Sequence, residues 1–200
     1  MFLRFIWGLF VAPSRQWNEI RDARLGLGKA VSYVMILAAI PVISGFIGTT
    51  QFGWQVGHSD VVKLTPGSAA VISLLYYAVI IAATLSVGWM VHWMANTYGA
   101  SQDLTQCIVM AAFIPTPLFL VGIFQLAPIL WLNLVVGLPA LAYTVFLLYV
   151  GIPVMMQIPA ERGFLFASAV LAVGLTGLVG LLAVTVILWG IGVTPIFITN

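Results

Sequence analysis

The sequence predicts an all-α polytopic membrane protein, with five transmembrane helices preceded by an amino-terminal interfacial amphipathic segment. Composition is the first observation behind this. The chain is 62% hydrophobic and 6% charged, whereas a soluble domain is roughly a quarter charged and needs that polarity to cover its surface. Charge placement is the second, because Asp103 is the only formal charge between Lys63 and Glu161. The third is length: a hydrocarbon core about 30 Å thick takes about 20 helical residues, and apolar stretches of that order recur along the chain.

Residues 1–29 form the interfacial segment. Phe2, Leu3, Phe5, Ile6, Trp7, Leu9 and Phe10 crowd a run that carries one cation, Arg4, and Trp17 and Ile20 recur among charges on the next stretch. Such segments lie at headgroup depth, with Trp7 and Trp17 as anchors. No small-residue cleavage site follows, so the run is read as retained and not as a secretory signal.

The first span is expected at Ala30 to Thr50, interrupted by Pro41, and the second at Gly67 to His92, ending beside Trp89 and Trp93. Cys107 to Phe124 is the third, with Pro115 and Pro117 at its centre. Ile129 to Val154 is the fourth, carrying Pro139 and Pro153, and Phe164 to Ile191 the fifth, with residues 192–200 as a tail. In the fifth, Ser168, Ala172, Thr176 and Gly180 make a stripe of small residues at a spacing of four. That spacing lets two helix backbones approach closely, within the bundle or across a homo-oligomer face.

Arg4, Arg15, Arg21, Arg24, Lys29 and Arg162 fall on one side of a five-span chain and only Lys63 on the other. The positive-inside rule then predicts a cytoplasmic amino terminus and an outward-facing tail. The lipid bilayer is the expected partner. The basic residues are too few and too scattered for a nucleic-acid surface.

Chemistry is sparse. Gly26, Gly28, Lys29 and Ala30 resemble the end of a phosphate loop but lack its hydroxyl residue and first glycine. His58 and Asp60 supply two metal ligands where a closed site needs more, and one cysteine, Cys107, allows no intrachain disulfide. No metal, cofactor or catalytic residue is expected. His92 and Asp103 bracket the loop between spans two and three, where they would meet as a proton relay or serve separately, His92 at the interface and Asp103 at a helix amino terminus. The prolines are the remaining constellation: each frees a carbonyl that lipid cannot satisfy, so the broken backbone must face protein or a water-lined cavity.

From Asn96 to Gly163 the order of features resembles the Yip family, the Ypt/Rab-interacting membrane proteins. The resemblance is carried by the Tyr98-Gly99 loop, the short third span with Pro115, the Pro128 turn, and Tyr143, Tyr149 and Gly151 in the fourth span. Pro159, Glu161 and Arg162 then precede a last span rich in small residues. The amino-terminal stretch with Pro13, Trp17 and Ile20 is similar to the entry segment of bacterial members. The resemblance implies five spans with the amino terminus inside. It offers no catalytic residue. Eukaryotic members are associated with Rab-type GTPases and carry a longer amino-terminal region, whereas this short form resembles a bacterial member of the cytoplasmic (inner) membrane. This short form is expected to organise or shape the membrane or to scaffold partners, with a channel, transporter or lipid pathway through the broken spans as the alternative.

Overall fold

The computed structural model describes residues 2–54, 61–190 and 196–199. Helices α1 (Phe2–Val11) and α2 (Pro13–Asp22) precede α3 (Leu27–Ile47), which runs into a π-helical turn at Gly48–Phe52. Strand β1 (Val62–Leu64) leads to α4 (Pro66–Ala95). The third span is divided into α5 (Leu104–Phe113) and α6 (Thr116–Val121), and α7 (Leu130–Met156), α8 (Ala160–Gly190) and β2 (Phe197–Thr199) complete the chain. Among the described residues five stretches are long and apolar enough to cross a membrane: Leu27–Phe52, Pro66–Tyr98, Leu104–Leu126, Leu130–Met156 and Ala160–Gly177.

The α5–α6 segment is the centre of the bundle. In its most apolar stretch 67% of the residues are buried, against 6% for α4, and every residue from Cys107 to Phe113 is buried. Small residues set the close approaches around it. A Cβ added to Gly88 of α4 would lie 2.7 Å from the Ile108 backbone, and one on Gly122 would lie 2.5 Å from Pro41. Pro41 is therefore also a knob fitted to a residue without a side chain, and Pro153 sits against Gly163 in the same way.

The amino-terminal segment packs differently from the interfacial placement expected of it. It is two helices, because Pro13 fits the first position of a helix but disfavours helical backbone at the residue before it, and Ala12 is non-helical (φ −146°, ψ 68°). They fold back on each other. Arg4 bonds Glu19 at 3.1 Å, and Gly8 lies against the Gln16 side chain, a pairing that only an antiparallel hairpin gives. The hairpin packs on the bundle, with Phe5 and Leu9 of α1 and Trp17 and Ile20 of α2 buried. Trp17 is thus not the interfacial anchor expected of it. It is 0% exposed, because its indole faces Gly151 of α7 across a gap that no side chain fills. Trp7, on the opposite face of α1, is 72% exposed.

A second element that alternation did not reveal is a two-stranded antiparallel sheet. β1 pairs with β2 in the register Val62↔Thr199, Lys63↔Ile198 and Leu64↔Phe197, which fastens the tail to the loop between spans one and two. His58 and Asp60 lie outside the described residues.

Candidate functional site

The broken third span comes first. Pro117 lacks the amide hydrogen that would reach the carbonyl of Phe113 in a regular helix. That carbonyl is met by the Thr116 hydroxyl at 2.6 Å. A hydroxyl has one hydrogen, so the 2.8 Å contact between Thr116 Oγ1 and Tyr33 Oη must be a bond donated by Tyr33. The Tyr33 ring stacks on Phe113, with centroids 4.0 Å apart. Phe2 meets Tyr33 edge-on at 5.3 Å and Phe5 meets Phe113 at 5.8 Å. The proline break is therefore closed by protein, with α1 packed over it, and Thr116 is fully buried.

The residues that carry the family resemblance in the fourth span receive the elements around it. Tyr143 donates to the Leu9 carbonyl at 2.8 Å, at the end of α1, and stacks on Phe10 with centroids 5.4 Å apart. Gly151 leaves room for Trp17; a Cβ there would lie 2.8 Å from the indole. Tyr149 donates to Ser168 Oγ at 2.9 Å, because the Ser168 hydrogen is already on the Phe164 carbonyl. Tyrosine to hydroxyl to helix carbonyl is thus the same arrangement as at Thr116. Tyr98 stacks on Phe166 with centroids 4.7 Å apart and ring planes 6° from parallel. Gly99 has φ +77°, a conformation that side chains disfavour, and Arg162 occupies the space where a Cβ would point. Gly99 and Arg162, far apart in sequence, meet at the entrance to α8.

His92 and Asp103 do not form the expected pair. His92 Nδ1 lies 3.2 Å from the Gln102 carbonyl, and no hydrogen bond between the two side chains occurs among the described residues. Asp103 stands at the residue before α5 without a side-chain bond to its amides. It borders a cleft of about 350 Å³ with Arg21, Arg24, Gln106 and Gln157. Gln106 Oε1 is buried there without a protein partner. Arg24 (φ 41°) and Gln157 (φ 54°) on its wall are the two non-glycine residues with left-handed backbone among those described.

Along α8, Ser168 is taken by Tyr149, whereas Ala172, Thr176 and Gly180 are exposed. Added Cβ atoms at Gly174, Gly177 and Gly180 would meet nothing within 4 Å. No group of three or more His, Cys, Asp or Glu residues able to hold a metal occurs among the described residues.

Sequence reasoning missed Tyr33 and the role of Thr116. The signal was present: a hydroxyl residue inside an apolar run, directly before a proline and three residues after the carbonyl that this proline frees.

The sequence matches the family model of the Yip1 domain over residues 7–181. The chain belongs to the Yip1-domain family. It is also 43% identical over 188 residues to the inner membrane protein YohC of Escherichia coli K12, covering 94% of this chain and 96% of that one. The same figures hold for the inner membrane protein YohC of E. coli O6:H1. No solved structure matches significantly. This Yip1-domain chain is accordingly a multi-pass protein of the inner membrane, with five helices able to span it. The matched region begins at Trp7, within α1, and takes in Trp17.

Proposed function

We propose that this Yip1-domain protein is a non-enzymatic membrane-shaping protein that widens one leaflet with its amino-terminal hairpin. One observation carries the reading: α1 is seated against the middle of α7. Tyr143, which holds the Leu9 carbonyl, lies on the order of 20 Å along α7 from Met156 at 1.5 Å per residue. The α1–α2 hairpin therefore occupies one half of the bundle only, and that half is broader by two helices. The outer face of α1 is apolar, with Leu3 82%, Trp7 72% and Val11 65% exposed to what surrounds the protein. In a bilayer such a face displaces acyl chains of one leaflet, while Arg4, Arg15 and Glu19 reach toward headgroups along their stems. The basic flanks support a cytoplasmic side for this half and an outward one for the strand pair.

The test is reconstitution of the full chain into liposomes at a fixed protein-to-lipid ratio, with vesicle diameter read by electron cryomicroscopy. The wild type gives smaller or tubulated vesicles, and the Leu3→Ser/Trp7→Ser double variant, which leaves the buried face intact, gives vesicles like the protein-free control. Equal diameters for the two proteins would sink the reading.

The exposed small face of α8 at Ala172, Thr176 and Gly180 supports a second element, self-association of two copies that would add their wedges. Cross-linking in dilute and crowded membranes tests it, with concentration-dependent dimers expected. The channel or transporter alternative finds no support at the Pro115–Pro117 break, where Thr116 is bonded on both sides.

A further inference from the structure

At the end of the bundle opposite the hairpin, the π-helical turn after α3 with Gly53, Trp54 and Val61, the turn before α7 and the start of α7 line an open cavity of about 940 Å³. This is within the size range of ligand sites, about 300–1,000 Å³. Its wall is mostly apolar and bears three uncharged polar groups, on Thr49, Gln125 and Asn133. Asn133 gives its amide hydrogens to the carbonyls of Ala127 and Ile129 at 2.9 Å each, so its Oδ1 is left as an acceptor. The Gln125 amide makes no side-chain hydrogen bond among the described residues, and its Oε1 is held near Gly45, where an added Cβ would stand 2.9 Å away. Thr49 donates back to the Gly45 carbonyl at 2.8 Å and keeps its acceptor capacity. Trp54 and Trp131 contribute to the wall, and Trp131, 74% exposed, is of the residue type that settles at interfacial depth.

We infer that this cavity holds one phospholipid of the adjoining leaflet, its acyl chain against the apolar wall, its glycerol esters at Gln125 and Asn133, and its phosphate toward Lys63. An apolar wall open beside exposed Ile129 and Leu130 faces acyl chains in a membrane. Uncharged amides suit an uncharged ester region, and among the described residues no carboxylate or cation lies in the wall. Lys63 stands beside this wall, its stem packed against the lining residue Gly53, with Cγ 2.7 Å from where a Cβ would be. It is the one cation of the chain that the sequence places at this end. A phosphate is the anionic group that every phospholipid of the leaflet presents.

Native mass spectrometry of the full-length protein, stripped of lipid in detergent, tests the assignment with palmitoyl-oleoyl phosphatidylglycerol and with the matching diacylglycerol, which lacks the phosphate. The wild type binds one phosphatidylglycerol saturably. Thr49→Phe, which fills the cavity, weakens it by at least about tenfold, whereas Lys63→Gln weakens phosphatidylglycerol several-fold and leaves diacylglycerol unchanged. Circular dichroism checks folding, and if Thr49→Phe does not fold, Gln125→Leu carries the same expectation at reduced size. Unchanged binding in the folded cavity variant, non-saturating adducts in the wild type, or an equal loss of both lipids on Lys63→Gln would overturn the proposal.

Discussion

Tyr33 donates a 2.8 Å hydrogen bond to Thr116, which in turn meets the Phe113 carbonyl at 2.6 Å. Pro117 leaves that carbonyl without its helical donor, and two side chains from different spans replace one missing amide hydrogen. Thr116→Val keeps the shape and removes the hydroxyl, leaving a buried carbonyl and a buried phenol unpaired. It is expected to lower stability by about 1–3 kcal/mol, and Thr116→Ser by less than half of that. Unfolding by sodium dodecyl sulfate in mixed micelles checks the order; equal stabilities for valine and threonine would refute the relay.

The same burial predicts a dry break. With Cys107 replaced by serine, a Thr116→Cys protein is expected to resist a membrane-impermeant thiol reagent from both sides and to react once denatured. Reaction in the folded state would bring water to mid-span and revive the pathway reading.

Docking of the hairpin depends on Gly151. Gly151→Leu places its side chain where the Trp17 indole stands, and the hairpin should detach while the five spans remain. Trypsin added to the hairpin side reads this at Arg15 and Arg21, with cleavage at least about tenfold faster than in the wild type if the docked state is worth more than 1.4 kcal/mol. Unchanged cleavage would show that Trp17 does not hold it. Gly151→Ala is expected to be intermediate.

Asp103→Asn should be nearly silent for stability, within about 0.5 kcal/mol, because the carboxylate is exposed, makes no side-chain bond to the α5 amides and does not reach His92. A larger change in unfolding midpoint would mean that the cleft it borders depends on its charge.

The β1–β2 pairing predicts a specific cross-link. In a Cys107→Ser background, cysteines at Lys63 and Ile198, which face each other in the register, should form a disulfide on mild oxidation. A pair at Lys63 and Gly174 should not. Failure of the first pair would separate the tail from the loop.

How much of this was legible varies by residue. Pro115 and Pro117 announced a break, but its repair by the Thr116 hydroxyl beside them was missed, and Tyr33 was one aromatic among many in an apolar span. Gly151 and Trp17 each stood out, and nothing in their spacing said that they touch. His92 and Asp103 suggested a pair because they bracket one short loop, and the His92 ring meets the Gln102 carbonyl instead.

Five spans follow from the sequence by itself, because hydrocarbon excludes charge and demands about 20 apolar residues per crossing; both conditions are local and can be counted. The seating of α1 could be decided only by the tertiary structure. Phe5 and Leu9 face protein while Leu3 and Trp7 face outward, yet all four are apolar. Acyl chains and a protein interior are equally apolar, so composition offers no contrast between the face that packs and the face that meets lipid. Shape makes that choice: the absent side chain of Gly151, the Tyr143 hydroxyl at the end of α1, and the Tyr33–Phe113 pair that α1 covers.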